Sequence, residues 1–214
     1  MTTSLREKIT QTTVAFRAQV PAEALSVIDT TTSELEESGI ADNSLKVGES
    51  APVFSLPNQR GEVQNLPSLL AKGRVVISFY RGGWCPYCNL ELAALQAVLP
   101  DIEAAGASLI AITPELPDSS LTTAEKNGLS FDILTDEGNE VAKSFGLEFE
   151  LSESLRPIYA SFGLDIPAHN GDKSFKLPLP ATYVIDSDGS VLYQFSDADY
   201  TKRLEPSEIL SILA

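Results

Sequence analysis

Two patterns of apolar residues divide the chain. Up to residue 45 apolar positions recur at helical spacing, which predicts two amphipathic helices. Beyond residue 45 short runs rich in β-branched side chains alternate with helical stripes, as in an α/β domain. The two N-terminal stripes are Leu5, Ile9, Thr13, Phe16 and Val20, and Leu25, Ile28, Thr32 and Leu35. We therefore expect an N-terminal helical arm over residues 1–45 and an α/β domain over residues 46–214.

The second region reads as strands and helices in alternation. Strands are predicted at residues 53–56, 74–80, 108–113, 131–134, 147–151, 183–185 and 191–195. Helices are predicted at residues 66–71, 85–105, 118–127, 139–145, 154–162 and 206–214. Residues 163–180 have no apolar period and are expected to form a loop.

Both cysteines of the chain lie in one unit, Cys85-Pro86-Tyr87-Cys88, where an apolar strand is predicted to turn into a helix. Unpaired N–H groups and the dipole at a helix N-terminus favour an anion, so the pKa of the Cys85 thiol is expected to be low. Cys88 lies one turn further into the helix and is expected to be more buried. The pair therefore predicts dithiol chemistry, with Cys85 as nucleophile and Cys88 as resolving thiol.

Two other roles for the pair are weaker. A zinc site commonly takes four Cys or His ligands, and this chain has two cysteines and one histidine, His169. A structural disulfide between Cys85 and Cys88 would close a very short loop and restrict the unfolded chain little. Neither a metal nor a cofactor is expected.

Four segments carry a family resemblance. Residues 79–88 resemble the active-site segment of thioredoxin-fold proteins, and the Cys-Pro-Tyr-Cys quartet is similar to that of glutaredoxins. Residues 47–58, 110–115 and 180–189 resemble segments of the peroxiredoxin-like branch of the alkyl hydroperoxide reductase/thiol-specific antioxidant (AhpC/TSA) family. The resemblance implies a thioredoxin-like fold, a central mixed β-sheet flanked by helices, with the N-terminal arm as an extension.

The chain departs from the peroxiredoxin signature at three positions. Gly82 stands where the family has a peroxide-activating threonine, Ser78 where it has a proline, and Pro180 where it has an arginine on a late strand. Thioredoxins place a cis-proline opposite their cysteine pair, and Pro180 is expected to fill that role with a cis Leu179–Pro180 bond. These departures favour disulfide exchange over fast peroxide reduction.

Several neighbours of the cysteines are candidate support residues. Trp84 and Pro86 flank Cys85, and Trp84 is expected to present an apolar face to substrate. Arg81 either stabilises the thiolate or binds a substrate carboxylate, or it is a solvated charge at a strand end. Glu91 is expected to be solvated, and His169 to be a surface histidine rather than a general base.

Composition limits the partners. The net charge of −15 and the pI near 4.4 argue against binding nucleic acid, which requires clustered Lys and Arg. No apolar run approaches the ~20 residues of a membrane span, and no signal peptide is visible, so a cytoplasmic protein is expected. The arm either covers the domain core, or forms a homodimer contact or a clamp near the cysteines.

The residues and the resemblance together predict a thiol-dependent oxidoreductase. Cys85 would attack a disulfide or a hydroperoxide, and Cys88 would close a redox-active disulfide with it. A thioredoxin- or glutathione-type donor would then reduce that disulfide. Disulfide exchange ranks above thiol peroxidase activity here. A non-catalytic redox sensor or binding module is the hypothesis from another class.

Overall fold

The computed structural model describes residues 3–214. The helices within this range are α1 (Leu5–Gln19), α2 (Ala22–Glu37), α3 (Leu66–Leu70), α4 (Pro86–Ala104), α5 (Pro117–Asn127), α6 (Glu140–Ser144), α7 (Arg156–Ser161), α8 (Ile166–Asn170) and α9 (Pro206–Leu213). The strands are β1 (Ser55–Pro57), β2 (Val63–Asn65), β3 (Arg74–Phe79), β4 (Ala107–Thr113), β5 (Asp132–Thr135), β6 (Glu148–Glu150), β7 (Lys176–Pro178), β8 (Ala181–Ile185) and β9 (Val191–Ser196).

The central sheet has the strand order β5-β4-β3-β8-β9. Strands β3, β4 and β5 are parallel, whereas β8 runs antiparallel to both β3 and β9. This is the mixed sheet that the resemblance implies. Strand β3 lies at its centre and is apolar on both faces, because helices cover each side. The connection from β3 to the active-site helix α4 therefore begins at the central strand of the sheet.

Successive residues of β3 enter two different core layers. Val76 packs with α4 and α9 on one face of the sheet, and Val75 and Ile77 pack with α3 and α6 on the other. Side chains alternate across a strand, so one β-strand serves both layers. All three valine and isoleucine side chains are fully buried.

The N-terminal arm packs on the domain. Leu5 and Ile9 of α1 are buried in the same core layer as α4. Helix α2 ends at Glu37, and Gly39 follows with a φ of +69°, the left-handed conformation that commonly ends a helix. Ile28 of α2 is buried in a third, smaller cluster with Leu151 and Tyr159. The arm thus contacts both the core of the domain and the segment that follows β6.

The prediction of a loop at residues 163–180 is wrong in part. Helix α8 and strand β7 lie in it, and β7 pairs antiparallel with β6. Ile166 and Leu177 are buried in the third cluster. Tertiary packing therefore stabilises α8 and β7, and no apolar period in the sequence predicts them. Within residues 3–214, no helix is both long and apolar enough to cross a membrane.

Candidate active site

Cys85 immediately precedes α4, at the junction predicted from the sequence. It occupies the N-cap position with an extended backbone, and Pro86 is the first helical residue, where a missing N–H costs nothing. The two glycines before it make the bend. Gly82 has a φ of +150°, and a Cβ on Gly83 would lie 1.9 Å from Thr123 Oγ1. Only glycine fits at either position.

Both thiols are buried, and their acidities diverge. Burial disfavours the Cys85 thiolate, but a hydrogen bond from the Cys88 thiol and the charges of Arg81 and Arg203 outweigh it and lower the pKa of Cys85. Burial and the neighbouring Cys85 thiolate raise the pKa of Cys88. Cys85 therefore carries the negative charge of the pair, as its position at the helix N-terminus predicts.

Arg81 is buried among aromatic rings rather than solvated. Its side chain is 2% exposed, and its Nη2 donates a hydrogen bond of 2.7 Å to the Tyr159 hydroxyl. The guanidinium carbon lies 4.7 Å from the ring centroid of Tyr200 and 5.1 Å from that of Trp84. Cation–π contacts of this kind hold a guanidinium without a carboxylate. The expectation of a solvated charge at a strand end is thus wrong.

A second buried arginine, Arg203, lies against Cys88. Its Nη2 is 3.4 Å from Cys88 Sγ, and its Nε donates to Glu91 Oε2 at 2.5 Å. Glu91 is 2% exposed, so the expectation that it is solvated is wrong. Its other oxygen accepts a hydrogen bond from Thr182 at 3.5 Å. Because this face of α4 is buried, the Glu91 carboxylate requires a cationic partner, and Arg203 supplies it.

The buried charges near the cysteines do not balance without a thiolate. Arg81 and Arg203 contribute two positive charges, and Glu91 pairs with Arg203 alone. The remaining positive charge favours ionisation of a nearby acid. Both arginines lower the pKa of the Cys85 thiol, against the opposing effect of its burial.

A buried carboxyl lies beneath the bend before Cys85. Glu115 Oε2 accepts a hydrogen bond of 2.7 Å from the Gly83 amide, and Oε1 lies 3.2 Å from His169 Nδ1. Burial raises the pKa of Glu115 to about 7. His169 is half-buried, and burial lowers its pKa. His169, expected to be a surface histidine, therefore lies half-buried beside Glu115. Glu115 in turn contacts the active-site loop at Gly83.

A small pocket of about 60 Å³ opens over Cys85. The residues that line it come from the arm, the active-site segment and the α7–α8 region: Phe16, Ile28, Arg81, Trp84, Cys85, Pro86, Tyr87, Tyr159, Phe162, Leu164 and Tyr200. Most of these side chains are apolar or aromatic. The arm therefore forms part of the wall around the thiol, and Thr13 of the arm donates a hydrogen bond of 3.3 Å to the Tyr87 hydroxyl.

The prediction of a cis bond before Pro180 is wrong. Within residues 3–214 every peptide bond is trans. Pro180 directly precedes β8, and Ala181 pairs with Phe79 at the end of β3. The proline therefore lies at the end of the sheet from which the chain leads to Cys85. It lines a cavity next to Arg81, but not the pocket that contains Cys85. Leu179 N donates to the Leu147 carbonyl oxygen, which shows that the chain before Pro180 is held by the β6 segment.

Four residues of the site escape sequence reasoning. Arg203, Tyr200, Tyr159 and Glu115 lie 27 to 118 positions from the cysteine pair in the sequence numbering, and no local motif marks them. Arg203 and Tyr200 follow the last strand of the sheet, in a polar segment typical of a surface loop. One feature of the sequence indicates a buried cation near the cysteines. Glu91 falls among the apolar positions of α4, and a buried carboxylate there requires a cationic partner.

The site has no obvious place for a metal. Across residues 3–214, no three His, Cys, Asp or Glu side chains cluster closely enough to hold an ion. The chemistry available to the site is that of the thiols and of the two guanidinium groups.

Residues 47–194 match the AhpC/TSA family. Peroxiredoxin Bcp of Escherichia coli is 30% identical over 155 residues, which cover 72% of this chain and 88% of the relative. Chloroplastic peroxiredoxin Q of Triticum aestivum is 28% identical over 187 residues, covering 87% of this chain and 76% of the relative. The crystal structure of peroxidoxin BcpB from Mycobacterium tuberculosis superposes with a TM-score of 0.62 at 24% identity, covering 79% of this chain and 96% of that one.

The matched range contains the two cysteines, Arg81, Glu91 and Glu115. It excludes the arm, and it also excludes Tyr200 and Arg203. The thioredoxin-like fold that the sequence resemblance implied is confirmed, together with the family. The chain belongs to the AhpC/TSA family and is an oxidoreductase of the peroxiredoxin type.

Proposed function

We propose that this protein is a two-cysteine thiol peroxidase, in which Cys85 reduces a hydroperoxide and Cys88 resolves the oxidised product. The observation that carries the proposal is the confined position of Cys85, a low-pKa thiol in a pocket of about 60 Å³ beside Arg81. A pocket of this size admits a peroxide group, since a single water needs only ~10–15 Å³.

The reaction follows from the two acidities. The Cys85 thiolate attacks the terminal peroxide oxygen, the O–O bond breaks, and the leaving alkoxide or hydroxide takes a proton to give an alcohol or water. Cys85 becomes a sulfenic acid. The guanidinium of Arg81 stabilises the charge that moves from sulfur to the leaving oxygen, as preorganised donors do in other enzymes.

Resolution then uses the second arginine. Burial and the Cys85 thiolate both keep the pKa of Cys88 high. Once Cys85 is a neutral sulfenic acid, the second cause is gone, while Arg203 Nη2 remains 3.4 Å from Cys88 Sγ. Cys88 loses its proton, attacks the Cys85 sulfur and releases water, which leaves a Cys85–Cys88 disulfide. One thioredoxin-type dithiol, or two molecules of a glutathione-type monothiol, returns the pair to the reduced state and leaves as a disulfide. We place this cycle in the cytoplasm, where such donors keep thiols reduced.

Dithiol–disulfide exchange is the second candidate function. The Cys-Pro-Tyr-Cys spacing at a helix N-terminus favours it, and so does the replacement of the family threonine and arginine by Gly82 and Pro180. Exchange requires a partner sulfur to reach Cys85, which is 2% exposed, and the donor that reduces the Cys85–Cys88 disulfide must meet the same requirement. The likeness to peroxiredoxin Bcp therefore decides the order, and we rank peroxide reduction first, although the sequence alone favours exchange.

Steady-state turnover tests the proposal. The reduced protein is supplied with excess dithiol donor and with hydrogen peroxide, an organic hydroperoxide or insulin disulfide. We expect hydroperoxide consumption that Cys85→Ser abolishes and that Cys88→Ser slows, with Cys85 trapped as sulfenic acid or mixed disulfide. Insulin reduction without hydroperoxide turnover would support exchange instead. Stoichiometric oxidation without turnover would indicate a redox sensor.

A further inference from the structure

A second cavity, of about 210 Å³, lies between α2 and the domain, next to the pocket that contains Cys85. Residues of α2 line one side and residues after β6 line the other, including Ile28, Leu35, Phe149, Leu151 and Leu155. Most of the wall is aliphatic or aromatic. Arg81 and its aromatic neighbours Tyr159 and Tyr200 line this cavity as well as the Cys85 pocket.

The guanidinium of Arg81 is not saturated by its protein partners. Its Nε is buried without a hydrogen-bond partner, and its one side-chain hydrogen bond goes to the Tyr159 hydroxyl. No carboxylate in residues 3–214 forms an ion pair with it. A buried donor left unpaired carries a desolvation cost, which an acceptor from a ligand removes. The cavity therefore combines an apolar wall with one cation that lacks a carboxylate.

We propose that this cavity binds an amphiphilic monocarboxylate, with the carboxylate paired to Arg81 and the aliphatic tail between α2 and the β6–α7 segment. An arginine fork donates hydrogen bonds to both oxygens of a carboxylate. The tail is short, because about 210 Å³ lies below the ~300–1,000 Å³ of pockets that hold drug-sized ligands. Binding uses the reduced protein and needs no peroxidase turnover, although the ligand carboxylate would share Arg81 with the Cys85 thiolate.

The acidic residues of the cavity are compatible with such a ligand. Glu34 and Glu150 line it, but both are exposed, and Glu150 is paired with Arg156. Exposed charges are screened by water and salt, whereas the buried charge of Arg81 is not. The ligand head thus gains more from Arg81 than it loses at the opening. The arm lies outside the residues 47–194 that the family model matches, so the α2 wall of the cavity is not part of that match.

Isothermal titration calorimetry of the reduced protein with octanoate tests the proposal. Octanol keeps the tail without the charge, octylamine reverses the charge, and acetate keeps the charge without the tail. We expect saturable binding of octanoate and at least ~10-fold weaker binding of the other three probes. For octanol and octylamine this factor is the loss in affinity that a missing charge-assisted hydrogen bond causes, and for acetate it reflects the missing tail. Absence of octanoate binding at millimolar concentration, or equal binding of octanol, would overturn the proposal.

Two variants locate the ligand. Leu35→Trp fills the cavity and should abolish octanoate binding, while Leu25→Trp, on the same helix but outside the cavity, should leave it unchanged. Arg81→Gln should remove the preference for octanoate over octanol. Circular dichroism checks that each variant is folded. Octanoate binding that survives Leu35→Trp at wild-type affinity would place the ligand elsewhere and refute the assignment.

Discussion

The thiolate of Cys85 depends on charges that the cysteine motif does not contain. The helix N-terminus accounts for part of its stability, and Arg81 and Arg203 for another part. Both guanidinium groups are buried, where water screens their charge little. Acidity at this site is therefore a property of the tertiary structure rather than of the Cys-Pro-Tyr-Cys sequence alone.

Replacing Arg81 should raise the pKa of Cys85. In the wild-type protein the thiolate is lost only as pH falls through a pKa below the ordinary ~8.5, so alkylation by iodoacetamide stays fast at pH 7. Arg81→Gln should shift the alkylation profile upward from a pKa of about 6 by about one unit, which lowers the rate about tenfold at pH 5 and only about twofold at pH 7. Arg60→Gln, at an exposed turn, is the control. An unchanged profile in Arg81→Gln would contradict the electrostatic role.

Glu115 should make stability depend on pH. Its folded pKa is about 7, against 4.5 for the free side chain, so its contribution to the free energy of unfolding is full below pH 4.5 and is lost as pH rises through 7. Relative to Glu115→Gln, the wild-type protein should lose up to about 3 kcal/mol between pH 4.5 and 8. Urea unfolding across this range measures the difference. Parallel curves for the two proteins would show that Glu115 ionises normally.

Sequence reasoning at the residue scale succeeded where the determinants are local. The positions of Cys85 and Cys88, and the need for two glycines before them, follow from a strand, a bend and a helix that are contiguous in the chain. Glu91 was misjudged because its partner, Arg203, is 112 residues away. The prediction for Pro180 is wrong because it rests on a chain order that resembles a cis-proline loop, whereas the Leu179–Pro180 bond is trans.

Among the elements, the N-terminal arm lies outside the residues that the family model matches. Its two helices were predicted from their apolar stripes, since periodicity is a local signal. Where the stripes dock was not predictable, because several faces of the domain are apolar. The structure places Phe16 and Ile28 in the wall of the Cys85 pocket. We therefore propose that residues 1–45 act as a cover for the active site.

Opening the cover should expose Cys85 to larger reagents. Phe16 lines the pocket and packs edge-to-face on Phe162, with ring centroids 6.0 Å apart. Phe16→Ala should increase the rate at which a bulky aromatic disulfide reacts with Cys85 more than the rate with iodoacetamide. Because Phe16 is half-buried, the stability loss should stay below the ~3–5 kcal/mol of a core Phe→Ala change. Val14→Ala, 66% exposed on the same helix, is the control. Equal acceleration with both reagents would argue against a steric cover.

At the scale of the whole molecule, the active site ties together parts of the chain that are far apart in sequence. The arm supplies Phe16, the active-site helix supplies Glu91, and the segment before α9 supplies Arg203. The α/β class and the mixed sheet were predictable from alternating strands and helices and from the family resemblance. The convergence of distant charged residues on the cysteines was not, because it depends on how the elements pack.

Removing one member of the Arg203–Glu91 ion pair should destabilise the folded protein, whereas replacing both members should change its stability little. Arg203→Met leaves Glu91 as an unpaired buried carboxylate and should lower the free energy of unfolding by about 3–5 kcal/mol. The double variant Arg203→Met with Glu91→Leu should recover most of that loss, because apolar residues of similar volume often replace a buried ion pair without cost. Urea unfolding of the wild type, of Arg203→Met and Glu91→Leu alone, and of the double variant gives the coupling energy. A loss below about 1 kcal/mol in the single variant would show that the pair is solvated in solution.

The rate at which hydroperoxide oxidises the reduced protein tests the central claim most directly. Trp84, the single tryptophan of the chain, lies beside Cys85 and provides the stopped-flow fluorescence signal. If preorganised donors at the site assist O–O cleavage, Cys85 should react with an organic hydroperoxide at least ~10²-fold faster than free cysteine. Loss of a family donor at Gly82 should keep the rate with hydrogen peroxide ~10²–10³-fold below that of a typical peroxiredoxin. A rate equal to that of free cysteine, together with rapid reduction of insulin disulfide, would contradict the peroxidase account.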